Sequence, residues 1–225
     1  MPSDSYTIDV GANCGDTLAL MASTNTKVNF LCVEADKDLF GFLKTNSELV
    51  GKKINKNIFI VNALAGTLTH KVIMKEVVPG AKRAVTAGDN EIGIFSKPLD
   101  EMIDQYINNQ GSKISLIKTD TDGYDYDVIN SSHKSIATFK PILFLECFFY
   151  CIWQLDEYKK MIEELHGAGY NKFYIFDNFG AYILKTSSYQ HINEILDTIW
   201  INPKERQQKQ FHTLMSWHVR MQTNQ

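Results

Sequence analysis

Glycines, amides and carboxylates that could contact a ligand follow the first apolar segment of the chain. The sequence there reads Asp9-Val-Gly-Ala-Asn-Cys-Gly-Asp-Thr17, a glycine-bearing turn that leads directly into a helical pattern. Gly11 lets a ligand approach the backbone closely, and the free N–H groups at the start of the helix face that ligand. The turn is not a dinucleotide-binding G-x-G-x-x-G, because Asn13 and Asp16 replace the second and third glycines. Two aspartates beside the turn would repel a pyrophosphate, so the pattern disfavours nicotinamide dinucleotides and P-loop nucleotides.

Two further segment ends add groups that suit a nucleoside. Glu34 ends the second β-rich segment, 23 positions beyond Gly11, where an acidic residue can accept hydrogen bonds from both hydroxyls of a ribose. Asn62 and Ala63 end the third, where an amide could meet the edge of an adenine and a small side chain leaves room for the ring. Together these residues predict an adenosine site without phosphates.

Three carboxylates follow the fourth and fifth β-rich segments: Asp120, Asp122 and Glu146. They are candidate general acid–base groups. Close together, they would either raise one another's pKa or hold a divalent cation, unless Lys118 neutralises part of their charge. A plain aspartate-rich turn that caps the next helix is the alternative interpretation.

The apolar periodicity predicts the elements that position these residues. Continuous β-rich runs alternate with helical patterns, which is typical of βαβ units in a Rossmann-like, doubly wound and mostly parallel sheet. The runs are 6–10, 29–34, 57–62, 114–119 and 141–146, and the helical patterns are 16–23, 37–50, 99–108 and 124–131. Residues 67–97 form an excursion with one β-rich stretch, 71–78, and then a polar loop; we expect a lid or a substrate wall there.

The chain after the fifth β-rich segment departs from this alternation. A helical stripe through residues 155–165 is followed by two extended runs, 171–176 and 181–185, which predict an antiparallel hairpin, and then by an amphipathic helix at 192–200. We therefore expect one domain over residues 1–202. Residues 203–225 are rich in Lys, Arg and Gln and predict a helical or flexible tail, serving as a packed cap, a partner-binding helix or a frayed end.

Composition excludes several classes of protein. The 225 residues are 44% apolar and carry a net charge of −3, which fits one globular domain and argues against disorder and against a dedicated nucleic-acid binder. The longest apolar run, residues 142–153, is too short for a membrane span. The first residues lack the pattern of a secretory signal, so the expected location is cytoplasmic. The four cysteines lack CxxC spacing and are expected to be reduced thiols.

Six blocks of sequence, in this order, resemble the FkbM family of class I S-adenosylmethionine-dependent methyltransferases over roughly residues 6–147. They are Asp9-Val-Gly-Ala-Asn13-x-Gly15, Val33-Glu34-Ala35, Asn62-Ala63-Leu64, Lys97-Pro-Leu-Asp-Glu101, Leu116-Ile-Lys-Thr-Asp-Thr-Asp-Gly123 and Pro141-Ile-Leu-Phe-Leu-Glu146. The resemblance implies methyl transfer from S-adenosylmethionine, usually to a hydroxyl of a sugar, polyketide or other secondary metabolite. Acidic residues suit this cofactor, because its sulfonium is cationic and it carries no phosphate.

The resemblance also implies a set of site residues. The cofactor would be held by Asp9, Gly11, Ala12, Asn13, Gly15, Asp16, Thr17, Glu34, Ala35, Asn62 and Ala63, and Asp120, Asp122 and Glu146 would be catalytic. The chain departs from the family pattern in two respects. The typical K-x-D-x-E-G block has Asp122 in place of the glutamate, and only a few residues precede the first strand.

The expected partners are a small-molecule or glycan acceptor, and a second copy of the chain or a larger parent polypeptide. Two other functions stay open at this point. One is an NAD-dependent or nucleotide-sugar enzyme of the same fold. The other is a non-catalytic binding domain that uses the Lys- and Gln-rich tail to contact a partner.

Overall fold

The structure is a computed structural model that describes residues 4–24, 27–67, 71–78, 81–88, 91–107, 112–199 and 217–223. The chain divides into two compact units, Met1–Pro141 and Ile142–Gln225. The predicted boundary between residues 202 and 203 lies outside the described residues.

The first unit contains alternating strands and helices. In chain order they are β1 (Tyr6–Val10), α1 (Asp16–Thr24), β2 (Asn29–Glu34), α2 (Lys37–Ile54), β3 (Ile58–Asn62), β4 (Leu64–Ala65), β5 (Val72–Val78), β6 (Ala81–Thr86), β7 (Ser96–Lys97), α3 (Leu99–Tyr106), β8 (Ile114–Thr119), α4 (Asp125–Asn130) and α5 (His133–Phe139). The bounds agree closely with the predicted segments.

The principal sheet of the first unit is parallel, with strand order β8-β1-β2-β3. Every residue of β1 and β2 is buried, as expected of continuous apolar strands that are covered on both faces. The strand order reverses between β1 and its neighbours β2 and β8, and a crevice opens at such a reversal beyond the carboxyl ends of the strands. The Rossmann-like α/β fold predicted from the sequence is confirmed.

Two local predictions in the first unit need correction. Residues 81–86 are the second strand of a hairpin, β5–β6, where the sequence predicted a polar loop. The predicted helix 124–131 is followed by a second helix, α5, which the sequence did not predict because residues 133–139 contain few apolar side chains. The Asp100 side chain caps α5 from a distance, because it accepts hydrogen bonds from the N–H groups of Lys134 and Ser135, both at 2.9 Å.

The second unit contains the predicted helix and hairpin. Its elements are β9 (Ile142–Cys147), α6 (Ile152–Gly167), β10 (Tyr170–Phe176), β11 (Tyr182–Thr186), α7 (Tyr189–Ile199) and β12 (Trp217–Thr223). Its strands pair in the antiparallel order β11-β10-β12-β9. The predicted stripe of α6 is buried: Leu155, Tyr158, Met161, Ile162 and Leu165.

The end of the tail is a strand where the sequence analysis predicted a helical or flexible segment. Trp217–Thr223 forms β12 between β9 and β10. The physical reason is a period of two rather than 3.6: Val219 and Met221 are buried, whereas their neighbours His218 and Arg220 are partly exposed. Residues 203–216, which include Phe211, Leu214 and Met215 of the predicted helix, lie outside the described residues.

Two sequence-based expectations concern the whole chain. No helix in the described part of the chain is long and apolar enough to cross a membrane. None of the four cysteines, all of which lie in the described ranges, forms a disulfide; Cys32 and Cys147 are buried, and Cys14 and Cys151 are partly exposed.

Candidate active site

A cavity of about 310 Å³ opens at the carboxyl ends of the parallel strands of the first unit. Its size is at the small end of the range for ligand pockets. The described residues that line it are Val10, Gly11, Asn13, Asp16, Thr17, Val33, Glu34, Ala35, Asp36, Leu39, Ala63, Leu64, Ala65, Met74, Ala84, Lys118, Asp120, Thr121, Asp122 and Tyr124. The predicted strand-end residues therefore come together around one space.

Residues 11–15, which we call the glycine turn, form one side of the cavity. Gly11 has a φ of 76°, and a Cβ on it would lie 1.9 Å from the Asp120 carbonyl oxygen. Only glycine fits this position, because both the backbone conformation and the neighbouring carbonyl exclude a side chain. Asn13 is also left-handed, with a φ of 50°.

Glu34 anchors the glycine turn from the end of β2. One carboxylate oxygen accepts a hydrogen bond from the Asn13 N–H and the other from the Asp36 N–H, both at 2.8 Å. The side chain is nearly buried, and burial raises its pKa above the ordinary value, against the lowering effect of the two backbone hydrogen bonds. Each oxygen keeps a further lone pair, so Glu34 can still accept a hydrogen bond from a ligand in the cavity.

A buried ion pair lies beneath the glycine turn. Lys118 Nζ is 3.0 Å from an Asp9 carboxylate oxygen and 3.5 Å from one of Asp120, and it donates to the Gly11 carbonyl oxygen at 3.5 Å. Burial by itself lowers the pKa of Lys118, but Asp9 and Asp120 outweigh burial and raise the pKa. Burial raises the pKa of Asp9, and Lys118 opposes this only in part. Lys118 therefore stays protonated and joins β1 to the end of β8.

Residues 120–124, which we call the acidic turn, form the opposite side of the cavity. Asp120 and Asp122 are exposed, and Asp122 is left-handed with a φ of 53°. Behind the turn, one oxygen of Asp125 accepts hydrogen bonds from Thr121 N–H at 3.3 Å and Thr121 Oγ1 at 3.0 Å. Asp125 is fully buried, and burial raises its pKa to about 6 although hydrogen bonding with Thr119 and Thr121 lowers it.

The excursion between β3 and β8 supplies a third wall. Met74 of β5 and Ala84 of β6 are directly paired in the hairpin, and both line the cavity. Tyr124 OH donates a hydrogen bond to the Ala84 carbonyl oxygen at 3.2 Å, which connects the hairpin to the acidic turn. Asp127 accepts hydrogen bonds from Thr67 N–H, at 2.8 Å, and from the Thr67 hydroxyl, and so fixes the chain just after β4.

Most of the predicted site residues line the cavity, and the others lie beside it or elsewhere. Those that line it are Gly11, Asn13, Asp16, Thr17, Glu34, Ala35, Ala63, Asp120 and Asp122. Asp9 is buried in the ion pair with Lys118, and Ala12 is buried in the core beside α1. Gly15 packs against Leu43, which a Cβ would meet at 3.1 Å.

Asn62 and Glu146 are the remaining predicted residues. Asn62 lies outside the cavity lining, and its Nδ2 donates to the carbonyl oxygens of Glu34 at 2.9 Å and Ala35 at 3.2 Å. This amide thus stabilises the strand ends. Glu146 belongs to the second unit, on β9, where its carbonyl oxygen accepts a hydrogen bond from Tyr158 OH at 3.3 Å. Its catalytic role stays a prediction from the sequence.

The carboxylates do not form a recognisable metal site. Within the described ranges there is no group of three or more His, Cys, Asp or Glu side chains that could hold a metal ion. Between Asp9 and Asp120, the Lys118 ammonium supplies the positive charge that a divalent cation would have supplied. Of the two sequence-based alternatives, the arrangement supports neutralisation by Lys118.

Several lining residues escaped the sequence analysis. Asp36 and Leu39 could have been found, because an aspartate just before a helical pattern is a typical N-cap; its side chain accepts from the N–H groups of Asp38 and Leu39. Met74 and Ala84 could not, since their position depends on the register of the hairpin. Asp125, which lies behind the acidic turn and outside the lining, carried no sequence signal beyond its place in an acidic stretch.

Comparison with known proteins identifies the family. The profile of the methyltransferase FkbM domain matches residues 9–172, nearly three quarters of the chain. The chain belongs to the FkbM methyltransferase family. The resemblance found in the sequence is thereby confirmed. No curated protein matches the chain at a significant level.

Solved structures with a similar fold are methyltransferases of low sequence identity. The FkbM methyltransferase from Methylobacillus flagellatus KT is 20% identical, with a TM-score of 0.45 over 64% of this chain and 32% of that protein. The precorrin-6y C5,15-methyltransferase from Geobacter metallireducens GS-15 is 10% identical, with a TM-score of 0.50 over 100% of this chain and 82% of that protein. The plantazolicin methyltransferase BamL, solved with a substrate analogue and SAH, is 11% identical, with a TM-score of 0.49 over 98% and 77%.

The FkbM-family chain thus has the fold of class I methyltransferases. It matches only about a third of the length of the Methylobacillus protein. The region that the family profile covers includes the glycine turn, Glu34, the acidic turn and Glu146. The residues around the cavity are therefore those of the family domain.

Proposed function

We propose that this FkbM domain transfers a methyl group from S-adenosylmethionine to a hydroxyl group of a small molecule or glycan. The observation that carries the proposal is one cavity bordered by Glu34 and the glycine turn on one side and by two exposed carboxylates of the acidic turn on the other. The first side suits an adenosine, and the second suits an acceptor whose proton must be removed.

The residues around the cavity fit S-adenosylmethionine better than a nucleotide. Glu34 would accept hydrogen bonds from the ribose hydroxyls, and the small and apolar side chains of Ala35, Leu39 and Ala63 would border the adenine. Asp16, at the start of α1, would attract the ammonium of the methionine part. Lys118 is the single cation among the described lining residues, and it is already paired with carboxylates, so phosphates find no free partner there.

Once bound, this cofactor supplies an electrophilic methyl carbon on a positively charged sulfur. The chain's own contribution is placement, charge and proton transfer. Asp120 and Asp122 would receive the proton of a hydroxyl acceptor, and Lys118 lies 3.5 Å from a carboxylate oxygen of Asp120. Met74, Ala84 and Tyr124 would limit the access of water from the side of the hairpin.

Calorimetric titration with S-adenosylhomocysteine tests the cofactor assignment. We expect a dissociation constant of about 100 µM or tighter, which corresponds to roughly 5.5 kcal/mol or more of binding free energy. NAD should not displace the ligand. No heat of binding at millimolar ligand, or displacement by NAD, would contradict the proposal and favour the dinucleotide alternative.

The variant Glu34→Gln tests the ribose contact. We expect S-adenosylhomocysteine affinity to fall by roughly 1 to 3 kcal/mol, because a charged hydrogen-bond acceptor is lost. Since the same side chain anchors Asn13, a 2′-deoxyribose analogue of the ligand is measured on both proteins. If Glu34 contacts the ribose, the loss of affinity caused by Glu34→Gln and the loss caused by removing the 2′-hydroxyl will not add. The matched control is Glu48→Gln on the exposed side of α2, which should bind like the parent protein.

The variants Asp120→Asn and Asp122→Asn test which carboxylate serves as the base. Removing a general base costs about 10²- to 10⁴-fold in rate, so one variant should lose methyl transfer while it still binds S-adenosylhomocysteine. Transfer is measured with labelled S-adenosylmethionine against a panel of hydroxyl compounds. Tight cofactor binding by the parent protein without transfer to any of them would favour the non-catalytic alternative.

A further inference from the structure

The charged groups around the cavity are strongly one-sided. Six of the described lining residues have acidic or basic side chains: five are carboxylic acids, at positions 16, 34, 36, 120 and 122, and one is Lys118. The three that are exposed are all acidic: Asp16, Asp120 and Asp122. A ligand that approaches the cavity therefore meets negative charge first.

The one lysine cannot offset this charge for an incoming ligand. Lys118 is 7% exposed, and its ammonium is 3.0 Å from Asp9 and 3.5 Å from Asp120. Asp9 is fully buried beneath the cavity, so water does not weaken its attraction to the Lys118 ammonium. The ammonium is therefore already paired with carboxylates of the chain.

Carboxylates of the chain also lie at the two helix starts beside the cavity. The positive end of a helix favours an anionic ligand where its N–H groups are free. Here Asp16 starts α1, and its side chain accepts from the Thr17 N–H at 2.9 Å. Asp36 caps α2 and accepts from the N–H groups of Asp38 and Leu39, both at 3.0 Å. One N–H group at the start of α1 and two at the start of α2 are therefore already paired with carboxylates of this chain.

We infer that the acceptor is a hydroxyl compound without negative charge, neutral or amine-bearing, and that this cavity rejects phosphorylated, sulfated and carboxylated acceptors. The inference rests on the proposed function and names the substrate class for the same site. A cleft lined by charge of one sign changes the local concentration of charged ligands by roughly 10- to 1,000-fold. Charge alone would thus separate a sugar or alcohol from its phosphate or acid.

Charged thiol reagents measure this selectivity without knowledge of the acceptor. Met74 lines the cavity and is partly exposed, so Met74→Cys places a thiol there in a full-length background with Cys14→Ser and Cys151→Ser; the other two cysteines are buried. The probes are trimethylammonium-ethyl and sulfonato-ethyl methanethiosulfonate. The control is Ser23→Cys in the same background, exposed near the far end of α1.

At each position we compare the rate of reaction with the cationic reagent to the rate with the anionic one. We expect this ratio of rates to be at least about tenfold higher at position 74 than at position 23. The preference should shrink in 1 M salt, where the Debye length is about 3 Å. It should also fall when Asp16→Asn and Asp122→Asn are added. A ratio at position 74 equal to or below the control would overturn the inference, whatever the cofactor.

Methyl transfer then tests the inference on acceptors. Labelled S-adenosylmethionine is incubated with the protein and a small-molecule extract that has been separated on an anion exchanger into retained and unretained pools. Label in the unretained pool, which holds neutral and cationic compounds, is the expected result. Label mainly in the retained pool would overturn the inference. Label in neither pool would count against the proposed function, and the reagent ratios would still decide the charge of the cavity.

Discussion

The glycine turn and the acidic turn face each other across the cavity and are built on the same plan. Each contains one left-handed residue other than glycine, Asn13 with a φ of 50° and Asp122 with a φ of 53°. Each is anchored from behind by a carboxylate that accepts a backbone hydrogen bond: Glu34 accepts from the Asn13 N–H, and Asp125 accepts from the Thr121 N–H. Both turns are thus hydrogen-bonded to an acid outside the turn, which is distant along the chain for Glu34 and directly follows the turn for Asp125.

The two anchors differ in what surrounds them. Glu34 lines the cavity and binds two backbone N–H groups at 2.8 Å, so it can serve both the turn and a ligand. Asp125 lies outside the cavity lining, is fully buried and has a pKa raised to about 6 by burial. The glycine turn therefore has an anchor that can also contact a ligand, whereas the acidic turn has an anchor that is buried behind it and has a pKa of about 6.

Lys118 joins the two sides, and its removal should give the largest effect. In Lys118→Met, Asp9 is left buried without its cation, which typically costs about 3 to 5 kcal/mol of unfolding free energy. The loss should be smaller at pH 5 than at pH 8, because a buried carboxyl with a raised pKa is more easily protonated at the lower pH. Urea denaturation at both pH values measures it.

The double variant Asp9→Asn/Lys118→Met is the control for this effect. It removes both charges, so much of the lost stability should return, and the pH dependence of the single variant should vanish. A single variant that loses less than about 1 kcal/mol at pH 8 would show that Asp9 is stabilised by other groups, and Lys118 would then not be the link between the turns.

Gly11→Ala should separate the turns by steric conflict rather than by charge. The added Cβ would meet the Asp120 carbonyl oxygen at 1.9 Å, at a residue whose φ is 76°. We expect a loss of about 3 kcal/mol in unfolding free energy, from left-handed strain and displaced backbone. Gly41→Ala is the matched control: it lies on α2 with nothing within 4 Å, and it should stabilise the protein by about 1 kcal/mol. Equal stability of the two variants would mean that the turns are not in contact.

The sequence predicted the glycine turn better than the acidic turn, for a physical reason. Gly11, Asn13 and Glu34 lie at ends of strands that form one continuous βαβ unit, so their spacing along the chain reports their place in the fold. The position of Met74 depends instead on hairpin register, and the burial of Asp125 depends on packing around α4. Neither the hairpin register nor the burial of Asp125 can be deduced from the spacing of residues along the chain.

Two wrong predictions have the same origin. The sequence predicted a polar loop where β6 lies and a helical or flexible tail where β12 lies, although the period-two burial of Val219 and Met221 is visible in the alternation of residues 217–223. Each becomes a strand only because a partner strand supplies its hydrogen bonds: β5 pairs with β6, and β9 and β10 pair with β12. Whether a segment finds a partner strand is information that the residues of that segment carry only weakly.

Compared with Lys118→Met and Gly11→Ala, Asp125→Asn should change the free energy of unfolding least, and this change should depend most clearly on pH. A carboxyl whose pKa rises to about 6 on folding, from 3.8, favours the folded state less as the pH rises through this interval. An asparagine carries no such penalty. Its Oδ1 can keep both hydrogen bonds from Thr121, because a single oxygen of Asp125 accepts them now. The variant should therefore be more stable than the parent by about 2 kcal/mol at pH 8 and should approach the parent's stability near pH 4.

Thermal and urea unfolding across pH 4 to 8 measure the difference between Asp125→Asn and the parent protein. Glu48→Gln, on the exposed side of α2, should show a constant difference over the same range. A difference for Asp125→Asn that is also constant would mean that this carboxyl does not titrate there. The anchors of the two turns would then behave alike, and the pH-sensitive side of the site would have to be sought in another group.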